Sequence, residues 1–407
     1  MTNDLRNYIS KLKKSKDIKI IKKPISLKYE IATITENFEN SHAILFENVK
    51  GRNFPVVSNL IGTRDRFALA LGTKIPDIHK KIVKAINSTK KPKLTTNAKF
   101  FENSSKDISI LPIATHFLKE SGPFITSSIL HTKNQEKNYQ NSSVHRLMPI
   151  GKKSFSIRMV EGRDLHKSFT YAKQHGEDLP VAITVGVHPA ITIASAFQAE
   201  WGKSEATIAN SLLDNKLTLT KCPISKIAVP STAEIVMEGK ILQDKTHSEW
   251  MVEMLRTYDM PRKAPVIEID KIYYRNNAIF HDILSGYGEA RLLMGMPIES
   301  KLNGILKKKF PQTKQVVLSC SSKGITITTQ DIETSTSAKE HVDCSFDGEE
   351  ITTSFNAKYL TEIIQHLESE EITIHLHTAL TAALFVPKAK EKETKTTSLL
   401  MPIRITQ

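Results

Sequence analysis

The apolar positions change period along the chain, and the changes mark out its elements. In residues 4–14 (DLRNYISKLKK), Leu5, Tyr8, Ile9 and Leu12 recur every three or four residues behind Asp4, which predicts an amphipathic helix with that aspartate as its N-cap. The runs IKIIKK, SHAILFENVK and FPVVSNL are then short and apolar or alternating, with turn residues between them, and read as strands. TRDRFALALG reads as a helix closed by Gly72. These elements predict a mixed α/β domain over residues 1–108, whose last stretch, from about 87 (NSTKKPKLTTNAKFFENSSKD), is polar enough to be a surface connection.

From Phe124 to Pro230 strand patterns dominate: FITSSILHT, SSVHRLMPIG, SFSIRMVEG, LPVAITVGVHP, LTLTKC and KIAVP, which fit a barrel or a sandwich. Helices are expected among them at about 164–175, 189–198 and 204–213. AEIVMEGKI and APVIEIDKIYY continue the β-rich character, giving a central domain over 109–300 and a junction helix within 301–315. Residues 316–407 read as a separate α+β unit. Its strands (VVLSCSS, GITITTQD, VDCSFDG, EEITIHLH, ALFVPK, LLMPIRI) surround one helix, NAKYLTEIIQHLES, with Tyr359, Leu360, Ile363, Ile364 and Leu367 on its apolar face. The fold class is therefore α+β and multidomain.

Composition narrows the function. The 407 residues are 40% hydrophobic and 25% charged, as expected of folded cores. No run approaches the length of a membrane-spanning helix and the start of the chain has no apolar signal segment, so a cytoplasmic protein is expected. The net charge of +14 is unevenly spread: residues 316–407 hold 8 basic against 13 acidic residues, leaving the excess of positive charge to the rest. Most of that excess is scattered lysine, which reads as solvated surface rather than a nucleic-acid footprint. Cys222, Cys320 and Cys344 lie too far apart for a CxxC pair and are expected to be reduced and structural.

No phosphate-binding glycine loop, zinc-protease helix or nucleophile elbow is present. What remains are polar residues set among apolar strands: Asn141 and Arg146 in NSSVHR, His188 in GVHP, Glu205 in KSEAT and Glu249 in HSEWMVE. Taken singly, each reads as a structural ion pair or a surface position.

Together with their surroundings they carry a resemblance. DLRNYISKLKK, ILFENVKGRNFPVVSNLIGTRDRFALALG, LPIATHFLKESGPFIT, NSSVHRLMPIGKKSFSIRMVEGRDLH, VAITVGVHPA, KCPISKIAVPSTAEIVMEGKI, APVIEIDKI and RLLMGMPIESKLNGILKKKFPQ follow, from residue 4 to about 318, the order of segments in the UbiD family of prenylated-flavin decarboxylases. The resemblance implies a central flavin-binding split β-barrel. It also implies prenylated FMN held through Mn²⁺, in some members with K⁺, and made by a flavin prenyltransferase partner. The activity implied is decarboxylation of a small aromatic or α,β-unsaturated carboxylic acid, such as a ubiquinone precursor, and homo-oligomers are common.

Carried over by position, Asn141 and Glu205 match metal-binding residues of that family, and Arg146 its catalytic arginine, so Asn141, Arg146 and Glu205 would face the cofactor. Glu249 matches the first glutamate of an EGPFGE-like motif. Two departures stand out. Asp164 falls where some members have a metal-ligand histidine, and aspartate also suits manganese. The motif itself reads EWMVEM, so Met254 occupies the place of the family's proton-donating second glutamate and Glu253 stands one residue early. In an extended backbone one residue is about 3.3 Å and reverses the side chain.

A second resemblance covers the tail. VVLSCSSKGITITTQD, SFDGEEITTSFNAKYLTEIIQHLESEEITIHL and SLLMPIRI are similar to the C-terminal domain of the bacterial DNA polymerase III sliding clamp (beta subunit), less its first helix and strand. That likeness implies a hydrophobic peptide-binding groove with Leu399, Met401 and Pro402 in its wall; a last core strand is the plainer reading of the same residues. The acidic tail alone offers no grip on DNA. The chain thus reads as a gene fusion, with a truncated decarboxylase C-terminal domain joined to a partial clamp domain. Two functions stay open: a UbiD-type carboxy-lyase, or an inactive fusion whose clamp fragment binds replication partners.

Overall fold

In a computed structural model, residues 4–88, 90–197, 199, 201–309, 315–331, 336–366, 371–387 and 397–403 are described. The chain divides into two compact units, Met1–Asn303 and Gly304–Gln407.

The first unit opens with the helix Leu5–Lys14. The Asp4 carboxylate accepts from the Asn7 amide at 2.8 Å, Lys11, Lys13 and Lys14 complement the dipole at the other end, and Leu5, Tyr8, Ile9 and Leu12 are buried. The helix Arg64–Leu71 is capped by Thr63 and ended by Gly72 at φ 62, a left-handed turn that favours glycine. Two further helices, Glu30–Asn37 and Ile78–Ile86, had no signal strong enough to predict them: both are short and neither has a side-chain cap bond. Ile78, Ile82 and Ala85 nonetheless put the lysine-rich IHKKIVKAI segment on the core by one face.

These helices flank a four-stranded sheet ordered Ile18–Ile21, Ala43–Phe46, Val56–Ser58, Phe280–Asp282. The fourth strand comes from more than two hundred residues downstream and pairs in parallel with the third, Phe280 opposite Val56 and Asp282 opposite Ser58.

Beside it lies a closed antiparallel barrel of six strands, in ring order Ile235–Glu249, Leu179–Val185, Ile125–Asn134, Tyr139–Ile150, Ser154–Ile157 and Arg262–Tyr274, the last pairing back with the first. Alternation assigns the faces: Leu179, Val181, Ile183 and Val185 join one core cluster, and Ala182, with Ile129, joins another. A register shift at Glu238/Gly239 lets the long strand bend; a Cβ on Gly239 would lie 2.0 Å from the Glu268 carbonyl oxygen, so only glycine fits.

The polar stretch from 87 to 108 is not a free surface connection. Lys93–Leu94 pairs with Thr218–Lys221, Asn103–Ser105 pairs with Arg262–Tyr274, and Phe100 between them is fully buried. The helices expected at 164–175, 189–198 and 204–213 run Asp164–Gln174, Pro189–Ser195 and Glu205–Leu212. A last helix, Gly288–Lys309, carries Pro297 in its interior. Within the expected junction helix, 310–314 lie outside the described residues, and Gln315 already belongs to a strand.

In the second unit, Thr336–Val342, Gly324–Asp331, Gln315–Ser321 and Ile351–Asn356 form an antiparallel sheet in that order, and Ile372–His375, Ala383–Pro387 and Ser398–Leu400 form another. The helix Ala357–His366 contributes Leu360 to a core with Leu318, Phe355, Phe385 and Leu400; Leu367, expected on the same helix face, lies outside the described residues. Ser354 exchanges hydrogen bonds with the Ile403 backbone, which ties Ile403 to the sheet. Cys222 and Cys320 are buried, as a structural role requires, whereas Cys344 is exposed.

Candidate functional site

Arg146 projects from the barrel strand Tyr139–Ile150, and its guanidinium is shared among three carboxylates. Nε donates to Glu249 at 3.1 Å, one terminal nitrogen to Glu253 at 2.8 Å, and the other to Asp259 at 3.4 Å. Glu249 is the last residue of the strand Ile235–Glu249 and is fully buried; its second oxygen accepts from the Ser156 hydroxyl at 3.3 Å. Burial works against the charge on Arg146, but Glu249 and Glu253 outweigh it and raise the guanidinium pKa.

Beyond Glu249 the chain makes a tight excursion. Val252 bridges to Tyr258, the Glu253 amide donates to the Thr257 carbonyl at 2.8 Å, and Arg256 turns the chain at φ 60. Glu253 is about half exposed and lies in this turn rather than in a strand. The face reversal that a one-residue offset causes in extended backbone therefore does not apply, and its carboxylate reaches Arg146. The base of the turn is pinned by segment 116–121: Ser121 exchanges hydrogen bonds with the Trp250 backbone, and Glu120 accepts from Val252.

Asp259 closes the turn and was not foreseen. Arg262, three residues on, donates to both its oxygens at 3.1 and 3.2 Å, and the Met260 amide donates at 2.9 Å. Burial works to raise the Asp259 carboxyl, but Arg262, Met260 and Glu253 overcome it and hold it at about 2. The D-x-x-R spacing was the one sequence signal that could have found the pair.

Of the residues expected at a metal, Asn141 and Glu205 meet, while Asp164 lies near enough to act on Glu205 by its charge. Glu205, first residue of its helix and almost fully buried, accepts from the Ser142 amide at 2.8 Å and from the Asn141 side-chain amide at 3.3 Å. Burial pushes its carboxyl up to about 8, and the nearby charge of Asp164 adds to the shift. Asp164 accepts from the Tyr139 hydroxyl at 2.9 Å. Among the described residues there is no group of three or more His, Cys, Asp or Glu placed to hold a metal ion. The donor types of Asn141, Glu205 and Asp164, one amide and two carboxylates, are those a hard divalent cation takes, and a bound cation would remove the cost of ionising the buried Glu205.

Glu205 also lines a small crevice with His131, Gln140, Ser142 and Ser195. His131 is held neutral by burial, its pKa lowered to about 3, with the Ser142 and Thr184 hydroxyls at 2.8 and 3.0 Å from its ring nitrogens. His188 is structural: its Nδ1 accepts from Ala190 at 3.2 Å as the cap of the short helix Pro189–Ser195, and its ring packs edge-on to Tyr8. In the second unit, Leu400 faces the core while Leu399 and Met401, 59% and 60% exposed, face outward, with Pro402 half-buried beside them.

Residues 9–86 match the model of the 3-octaprenyl-4-hydroxybenzoate carboxy-lyase N-terminal domain, and residues 87–288 that of the Rift-related domain of the same carboxy-lyases. Residues 308–404 match the model of the C-terminal domain of the DNA polymerase III beta subunit. The chain is 31% identical over 315 residues to the anhydromevalonate phosphate decarboxylase of Methanothermobacter thermautotrophicus, covering 77% of this chain and 73% of that one. It is 33% identical over 300 residues to the Methanosarcina mazei enzyme of that name, covering 73% and 69%. Among solved structures, an evolved dimeric form of the UbiD-class enzyme HmfF from Pelotomaculum thermopropionicum in complex with prFMN is similar at TM-score 0.75 and 31% identity, over 78% of this chain and 75% of that one. The same enzyme in complex with FMN is similar at TM-score 0.74 and 32% identity, over 77% and 72%. These relatives are named for anhydromevalonate phosphate and not for a ubiquinone precursor, so the expectation of a ubiquinone precursor is unsupported.

Proposed function

Because the chain belongs to the UbiD family, we propose that it is a carboxy-lyase acting on an α,β-unsaturated or aromatic carboxylate, with Arg146 as carboxylate anchor and Glu253 as proton donor. The observation that carries this reading is the single guanidinium bound to buried Glu249 and to half-exposed Glu253 at once. The relatives named for anhydromevalonate phosphate favour a phosphorylated, unsaturated acid over a ubiquinone precursor.

Asn141, Glu205 and Asp164 would hold Mn²⁺ at the phosphate of prenylated FMN, with K⁺ as in some members, the flavin being supplied by a prenyltransferase and acting, when bound, as the electron sink for the bond to CO₂. Everything else falls to the chain. Arg146 orients the carboxylate, and Glu249, buried beside Ser156, fixes the guanidinium. As the bond to CO₂ breaks, Glu253 delivers to the carbon that CO₂ leaves a proton it takes from water through its exposed side, and returns to the carboxylate that pairs with Arg146.

The residues work within a division into an N-terminal domain (1–108), a flavin-binding barrel domain (109–300), a junction (301–315) and a clamp-like domain (316–407). Dimers are proposed as well, since one solved relative is described as dimeric. The test is Glu253→Gln in protein coexpressed with a flavin prenyltransferase, following CO₂ release from a panel of unsaturated and aromatic acids. Loss of general-acid catalysis should lower turnover by about 10² to 10⁴ with the bound cofactor unchanged. Turnover equal to that of the unaltered chain would assign the proton to another group.

A second reading concerns the tail. Leu384 and Leu399 are cross-strand partners and both exposed, which favours a clamp-like surface for a replication-partner peptide, with Leu399, Met401 and Pro402 as its wall. Under this reading the first unit need not turn over.

A further inference from the structure

We propose that Asp259 is the resting counter-ion of Arg146, that the substrate carboxylate displaces it, and that Arg262 takes it up. Asp259 is then a positioning residue that sets how readily a carboxylate enters. The inference rests on Arg146 being the carboxylate anchor.

Every nitrogen of Arg146 is already engaged. Its three nitrogens each face a carboxylate, at 3.1 Å (Glu249), 2.8 Å (Glu253) and 3.4 Å (Asp259). An arginine receives a carboxylate best through two parallel N–H groups on neighbouring nitrogens, so a substrate that docks in this way competes with a carboxylate already held there. Glu249 is held in place by its burial: turned away from Arg146 it would be a buried charge with only the Ser156 hydroxyl for a partner. Glu253 makes the shortest contact. Asp259 makes the longest, at a separation where a hydrogen bond contributes little.

Asp259 also has somewhere to go. Arg262 already donates to both its oxygens from Nε, and again from a terminal nitrogen at 3.1 Å, while the Met260 amide holds Oδ1 at 2.9 Å. Releasing Arg146 therefore costs Asp259 one marginal contact of several. The charges agree. Glu249, Glu253 and Asp259 stand against Arg146 and Arg262, so the site has no room for a further anion unless a carboxylate leaves Arg146 and pairs elsewhere. Arg262 is 48% exposed and free to follow Asp259 outward.

The chain has two tryptophans, and Trp250 adjoins Glu249, so Trp201→Phe in the full chain leaves a reporter at the site. Crotonate, a minimal α,β-unsaturated carboxylate, and neutral crotonamide are titrated against Trp250 emission at constant ionic strength. Asp259→Asn keeps an acceptor for Met260 but removes the competing charge, and should tighten crotonate binding about threefold to tenfold, with crotonamide unchanged. Arg262→Gln leaves Asp259 committed to Arg146 and should weaken crotonate by a similar factor. Crotonate binding unchanged or weaker in Asp259→Asn, or crotonamide tightening equally, overturns the counter-ion role. If Asp259→Asn does not fold, Arg262→Gln decides alone, unchanged binding refuting it. Crotonate binding that survives Arg146→Gln, or that is absent from both the unaltered chain and Asp259→Asn, refutes instead the anchor reading beneath it.

Discussion

Glu205 gives the most quantitative prediction. Burial raises its carboxyl from 4.5 to about 8, so the folded chain keeps a proton that the unfolded chain has lost between those values. Stability of the metal-free protein therefore falls as pH rises through that window, because ionisation is disfavoured only in the folded state. A divalent ion must take the ionised form. At pH 7 about nine-tenths of the molecules carry the proton, so binding Mn²⁺ should release about 0.9 proton and forfeit about 1.4 kcal/mol to ionisation. The dissociation constant should tighten about tenfold from pH 6 to pH 7, and level off above about pH 9. Calorimetric titration with Mn²⁺ in two buffers of different ionisation enthalpy measures both quantities. Glu205→Gln should bind Mn²⁺ far more weakly and lose this pH dependence. Negligible proton release at pH 7, or equal affinity at pH 6 and 8, would refute the argument that an uncompensated buried carboxyl is the heart of the metal site.

Two further predictions are independent of that one. Leu399→Asp should abolish binding of a fluorescent clamp-motif peptide to the full chain while leaving the melting of the second unit unchanged, since Leu399 is exposed and Leu400 holds the core; equal peptide binding would dismiss the clamp-like surface. Arg66 is 1% exposed with Nε and one terminal nitrogen buried and unpartnered, and its ion-pair partner Asp17 can rehydrate. Arg66→Met should then be neutral or stabilising by about 1 kcal/mol or more, and Arg66→Ala destabilising through its cavity, in thermal melts; equal losses in both would show that the charge itself is needed.

Elements whose signal is local were legible in the sequence. Asp4 caps where a carboxylate precedes an apolar face, and Gly72 ends a helix where a left-handed residue is required. Arg146, Glu249 and Glu205 could be singled out as candidates only because a family pattern joined positions far apart in the chain. What failed to show had no local signature. Segment 87–108 looked like a polar connection because its strands are two or three residues long and gain their order from distant partners. Glu253 looked displaced because extended geometry was assumed, whereas the turn at Arg256 decides where its side chain points. Asp259 was invisible because nothing near it in sequence announces an arginine more than a hundred residues away.

The strand Phe280–Asp282, which completes the N-terminal sheet, has a consequence for synthesis. Until the ribosome has made residue 282, Val56–Ser58 is an edge strand with no parallel neighbour, and all three of its residues, buried in the finished protein, are left uncovered. An uncovered apolar edge invites pairing with other chains. The nascent chain must therefore carry this liability through the whole length of the barrel, so that the first sheet begun is among the last parts of the first unit to close.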